Sequence, residues 1–143
     1  MKQADFYVLP QADIDSRYRF MGKLVTRALG AGHRIYILTD SQSEAETIHE
    51  RLWHSEAESF LPSKLITQEG YSPIEIGWDE THTPKEPDLL MNLSVLPKVS
   101  SDAFSRVTEI VIQQDTVLEI TRARFKDYQS QGWKTSLHDM RRS

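Results

Sequence analysis

The sequence predicts an α/β fold: a single doubly wound, nucleotide-binding-like domain. Its sheet is mostly parallel, with about five strands and helices on both faces. Three observations carry this reading. Short runs rich in β-branched and aromatic residues (6–9, 34–38, 74–78, 89–96 and 109–112) alternate with stretches of helical period. The run Arg34-Ile35-Tyr36-Ile37-Leu38 is apolar at nearly every position, as a strand covered on both faces must be. The order β-α-β-α over the first half implies right-handed crossovers, and these build parallel pairs.

Each element has its own signal. Phe6-Tyr7-Val8-Leu9 is the first strand and stops at Pro10. Asp13, Asp15 or Ser16 then caps a helix whose apolar stripe is Phe20, Met21, Leu24, Val25, Ala28 and Leu29. Gly30 and Gly32 end it. The second strand breaks at Thr39-Asp40-Ser41. Ser41 and Glu44 match a capping box, and Ala45, Ile48, Leu52 and Trp53 share one face of the next helix. Ser59-Phe60-Leu61-Pro62 reads as a Pro-limited extended segment. Ile74-Glu75-Ile76-Gly77-Trp78 alternates as a strand, and residues 79–88, with Pro84, Pro87 and several carboxylates, read as an exposed loop. Residues 89–96 suggest another strand, 101–106 one or two helical turns, and 109–112 a last strand. Thr116 and Glu119 form a second capping box for the final helix, which Gly132 stops. Residues 135–143 read as a flexible tail of this one domain, 1–143.

Composition narrows the function. The length of 143 residues suits one domain, since these cluster near ~100–150 residues. An apolar fraction of 38% with thirteen aromatic side chains excludes a disordered chain. The absence of cysteine excludes thiolate metal sites, thiol nucleophiles and disulfides. No apolar run reaches the ~18 residues of a membrane span, so a cytoplasmic protein without membrane contact is expected. Charge is uneven. The whole chain is −4, yet from Arg122 onward six basic residues face only Asp127 and Asp139, giving +4 and leaving −8 on the rest. An acidic body repels a bare polyanion, whereas the basic end suits a smaller anion.

The fold invites a nucleotide site, and its required residues are missing. Pyrophosphate binding needs glycines directly after the first strand, where this chain has Pro10-Gln11-Ala12-Asp13-Ile14-Asp15. Asp40 stands where a ribose-binding acid would, and alone it reads as a helix-capping or turn residue instead. His33, His49, His54, His82 and His138 show no metal-ligand spacing. Pairs such as Glu44/Glu46 and Glu56/Glu58 read as solvated faces. No catalytic residue, cofactor or metal site is therefore expected. A nucleotide-dependent enzyme on a Rossmann-like fold is the alternative.

Two constellations stand out. Leu52-Trp53 and Glu58-Ser59-Phe60-Leu61-Pro62 either complete the core or cover a patch for a protein partner, since Trp and Phe are favoured interface anchors. On the last helix, Arg122 and Lys126 are four residues apart beside Phe125, with Tyr128 and Trp133 following. They form either an ordinary basic solvent face or a site for a ligand both anionic and apolar, such as the free C-terminus of another chain.

With these residues in view the chain resembles the chi subunits of bacterial DNA polymerase III. The resemblance spans nearly the whole chain. It rests on Ala4-Asp5-Phe6-Tyr7-Val8-Leu9, Leu52-Trp53 through Glu58-Ser59-Phe60-Leu61-Pro62, Pro73-Ile74-Glu75-Ile76-Gly77-Trp78, and Asp88-Leu89-Leu90 through Leu93-Ser94. Arg122-x-Arg124-Phe125-Lys126-x-Tyr128 with Gly132-Trp133 completes it. The resemblance implies a non-catalytic accessory subunit of the DNA polymerase III holoenzyme, the assembly that has DNA-directed DNA polymerase activity. It implies pairing with the psi subunit of the clamp loader through Trp53, Phe60, Leu61 and Pro62. It further implies that Arg122, Phe125 and Lys126 hold the C-terminal tail of single-stranded DNA-binding protein, so that DNA is reached only indirectly. Leu118 stands where the best-known member has a basic residue, which removes one electrostatic contact.

Overall fold

The computed structural model describes residues 2–53, 62–79, 88–96 and 103–141. One seven-stranded sheet organises them. Its strands are β1 (Gln3–Val8), β2 (Ile35–Leu38), β3 (Ser63–Leu65), β4 (Ile74–Gly77), β5 (Leu89–Asn92), β6 (Arg106–Val111) and β7 (Lys134–Asp139), in the spatial order β3-β4-β2-β5-β6-β1-β7. Every pairing is parallel. Three helices connect them: α1 (Ile14–Gly30), α2 (Gln42–Trp53) and α3 (Asp115–Ser130).

Alternation along the strands sorts the side chains into two cores. Ile35, Ile37, Ile74, Ile76, Met91 and Ile110 face α1 and α2, which contribute Met21, Leu24, Val25, Ala45, Ile48 and Leu52. Phe6, Val8, Tyr36, Leu38, Leu90, Val107 and Val111 face α3, which brings Leu118, Phe125 and Tyr128. The helices thus cover both faces, as the doubly wound reading requires. The chain leaves β2 through α2 toward one edge of the sheet and leaves β6 through α3 toward the other.

The sheet has seven strands rather than about five. Three-residue β3 is too short to show a period, and β7 pairs only with β1 and carries mostly polar side chains. Lys134–Asp139, which includes much of the segment read as a tail, is therefore an edge strand. Arg106 opens β6 instead of closing a helical turn, and Phe104 just before it is buried. Residues 101 and 102 lie outside the described residues.

Capping follows the sequence at α1 and α2 and departs from it at α3. Asp13 caps α1, its carboxylate accepting the Ser16 N–H at 2.9 Å. At α2 the Glu44 N–H donates to Ser41 Oγ at 3.1 Å, and Glu44 Oε1 accepts the Asp40 N–H at 2.9 Å. The Thr116–Glu119 box does not form. α3 starts one residue before Thr116, behind an extended Gln114 that makes no side-chain cap. The preceding Gln113 is held to the end of β1 through Gln11 O (2.8 Å) and Leu9 O (2.9 Å), and this fixes the point where the helix begins.

Candidate functional site

α3 presents different chemistry on its two flanks. Val117, Thr121 and Tyr128 are buried toward the sheet. Phe125 is half-buried, edge-on to Phe6 at 5.1 Å, and Tyr128 packs on Trp133 at 4.8 Å. Arg122 and Lys126, one turn apart, are both exposed, with no hydrogen bond or ion pair to any described residue. Gln129 Nε2 donates to Thr135 Oγ1 at 3.4 Å, which turns this flank toward β7.

β7 supplies an apolar side chain that sequence reasoning missed. His138 is in register with Tyr7 and stacks on it at 4.4 Å. Leu137 therefore points to the opposite face, beside Phe6, and is 59% exposed. Leu118 and Phe125 form an apolar strip along this flank of α3, beside the two exposed cations, and Leu137 is exposed on the same face of the sheet. The signal for Leu137 was a single apolar residue between Ser136 and His138, too little to mark a strand. Leu118 is half-buried against the α3-side core, so it offers hydrocarbon to this strip.

The other flank of α3 is anchored. Arg124 Nη1 donates to Glu109 Oε1 at 3.0 Å and its Nη2 to the Leu96 carbonyl at 3.3 Å. Glu109 lies on β6 between Val107 and Val111, within the α3-side core, and is fully buried. Asn92, opposite it on β5, donates to Oε2 at 3.2 Å. Burial pushes the Glu109 carboxyl up to about 7, although Arg124, Arg17 and Asn92 all favour its charged form. Arg17 of α1 is buried as well, donating to the Ile110 carbonyl at 2.9 Å and the Leu93 carbonyl at 3.0 Å. Desolvation holds its guanidinium below the usual arginine range. Both buried charges had a signal: Arg17 is on the helical stripe with Met21 and Leu24, and Glu109 holds an inward strand position.

Asp40 works inside the same carboxyl edge of the sheet. Its two oxygens accept Ser94 Oγ at 2.6 Å and the Val95 N–H at 3.0 Å, tying the end of β2 to the loop after β5. Among the described residues, no three His, Asp or Glu side chains gather as a metal ion would need, and no helix is long and apolar enough to cross a membrane.

At the far end of the sheet Trp53 closes α2 with 47% of its surface exposed. Its ring meets His49 edge-on at 6.1 Å, and His49 Nδ1 is 2.7 Å from Ser63 Oγ. Pro62, just before Ser63, is exposed, and its carbonyl accepts Ser72 Oγ at 2.8 Å. Trp53 and Pro62 thus belong to one corner of the molecule. Phe60 and Leu61 lie outside the described residues.

Comparison with known proteins agrees with this frame. Residues 1–136 match the model of the family described as DNA polymerase III chi subunit, HolC. The DNA polymerase III subunit chi of Pseudomonas aeruginosa is 29% identical over 142 residues, 99% of each chain. That of Escherichia coli K12 is 28% identical over 139 residues, covering 93% of this chain and 95% of its own. The Haemophilus influenzae protein of the same name is 28% identical over 141 residues, 97% and 98% of the two chains. A family-model match over residues 1–136, with these full-length relatives, means that the chain belongs to the DNA polymerase III chi subunit family.

Proposed function

We propose that this chain is a non-catalytic, cytoplasmic adaptor of the DNA polymerase III holoenzyme. Through Trp53, Phe60, Leu61 and Pro62 it pairs with the psi subunit of the clamp loader. Through Arg122, Phe125 and Lys126 it holds the C-terminal tail of single-stranded DNA-binding protein. The observation that carries the reading is the pair of unpaired cations beside the Leu118–Phe125 strip, with Leu137 exposed on the same face of the sheet. An acidic tail ending in an aromatic residue matches both halves of that surface.

The magnitudes suit a tether. Covering an aromatic end group contributes ~1.5–3 kcal/mol, and each charge-assisted hydrogen bond ~1.5–3 kcal/mol. With two cations these terms come to about 4.5–9 kcal/mol before the loss of tail freedom, so the dissociation constant is micromolar at its tightest. DNA is engaged through its protein coat, because the −8 charge of the body opposes the bare strand.

Titration of a synthetic acidic peptide ending in Phe into wild type and Arg122→Glu tests the tail half. We expect binding by wild type and loss in the variant; equal binding by both refutes it. For the psi half, co-expressed psi subunit should be captured by wild type and lost with Trp53→Ala. Equal capture would sink that half.

A further inference from the structure

We infer that Arg124 is a positioning residue for the α3 site: clamped between Glu109 and the Leu96 carbonyl, it sets the rotation of the helix that presents Arg122, Phe125 and Lys126. The inference rests on the tail-binding reading of that flank and adds a residue that does not itself meet the ligand.

The geometry divides the labour. At ~100° per residue Arg124 lies about 200° around the helix from Arg122. It therefore grips the β5–β6 side, away from Arg122 and Lys126, while Gln129 on their flank reaches Thr135 of β7. Its two nitrogens hold two different elements, the β6 carboxylate at 3.0 Å and the loop carbonyl after β5 at 3.3 Å. Glu109 cannot swing away, being fully buried and held by Asn92. Elsewhere α3 meets the sheet through Val117, Phe125 and Tyr128, apolar contacts that tolerate small rolls of a helix. A planar guanidinium held at both ends does not. The carbonyl it grips follows Ser94, which is hydrogen-bonded to Asp40, so the fixed point belongs to the carboxyl edge of the sheet.

Opposite signs separate this role from simple electrostatics. Near pH 8, removing a carboxylate with Glu109→Gln strengthens binding of an anionic peptide if only charge matters, and weakens it if Arg124 must be held. The acidic peptide ending in Phe, titrated well below the melting transition, is expected to bind Glu109→Gln about tenfold more weakly than wild type. Arg124→Lys keeps the charge but cannot hold both acceptors, and it provides the second arm should Glu109→Gln fold poorly. We expect a similar loss there, with an unchanged salt dependence because Arg122 and Lys126 remain. Unaltered or tighter binding by both variants, with wild type binding and Arg122→Glu not, overturns the inference and leaves the site reading intact. Failure of wild type itself to bind the peptide overturns both.

Discussion

The buried Glu109 makes the stability of this fold depend on pH in an unusual direction. Its carboxyl is raised from 4.5 to about 7, with burial as the main cause. The folded state therefore holds a proton that the unfolded chain releases. The contribution of this proton is complete below the unfolded value, near 4.5, and disappears as pH rises through about 7. A shift of this size corresponds to roughly 3 kcal/mol, at ~1.4 kcal/mol per unit. Urea unfolding of wild type and Glu109→Gln at a series of pH values isolates it, since the other titrating groups cancel in the difference. Wild type should lose stability relative to the variant from pH 4.5 upward and level off above about 7. A difference that stays flat, or that moves in favour of wild type as pH rises, would show that Arg124 and Arg17 outweigh burial. The assigned direction would then be wrong.

Four further outcomes follow from single contacts. Raising salt from ~50 to ~300 mM should weaken peptide binding, and Lys126→Gln should flatten that dependence in the same titration, because an exposed cation is screened. Gly77→Ala should lower stability by ~1–3 kcal/mol in thermal melts, since a Cβ there runs into the Tyr36 hydroxyl and ring. Tyr36→Phe should be neutral or stabilising by up to ~1 kcal/mol, because that buried hydroxyl has no hydrogen-bond partner among the described residues. Asp13→Ala should lower the melting temperature at neutral pH and cease to matter on acidification. Its carboxyl is held below the usual range by the Ser16 N–H, so its help is present above the unfolded value and lost as pH falls.

The parts legible in the sequence are those whose physics is local. α1 and α2 were marked by stripes and by Asp13, Ser41 and Glu44, and the central strands by continuous apolar runs. β3 and β7 escaped because an edge strand need not be apolar: Lys134–Asp139 is held through β1 by backbone hydrogen bonds that any sequence can make. The cations of the α3 site were visible because i, i+4 spacing needs no tertiary knowledge. Leu137 was not, since its place beside Phe6 depends on a parallel register between residues more than a hundred positions apart. The Thr116–Glu119 box misled for a related reason, as the helix start is set by Gln113 bonded to the Leu9 and Gln11 carbonyls just after β1.

The same distinction between local and tertiary signals applies at the carboxyl edge of the sheet. In open α/β sheets ligands favour the carboxyl edge, where neighbouring strands send their connections in opposite directions. Here β2 and β5 are such neighbours. Between their ends lie Asp40, Ser94 and Asn92, bonded to the loop after β5 or to Glu109, with Arg17 donating to the Leu93 carbonyl from α1. Most of these polar groups are satisfied by the chain's own side chains and backbone, whereas the buried Arg17 Nη2 has no hydrogen-bond partner among the described residues. The bonds that are made stiffen this edge, since breaking one leaves a buried polar group unpaired. Arg124 is its outermost member and the point where that rigidity reaches α3. On the proposed reading, this edge is the fixed mount for the exposed face of α3, where Arg122 and Lys126 stand.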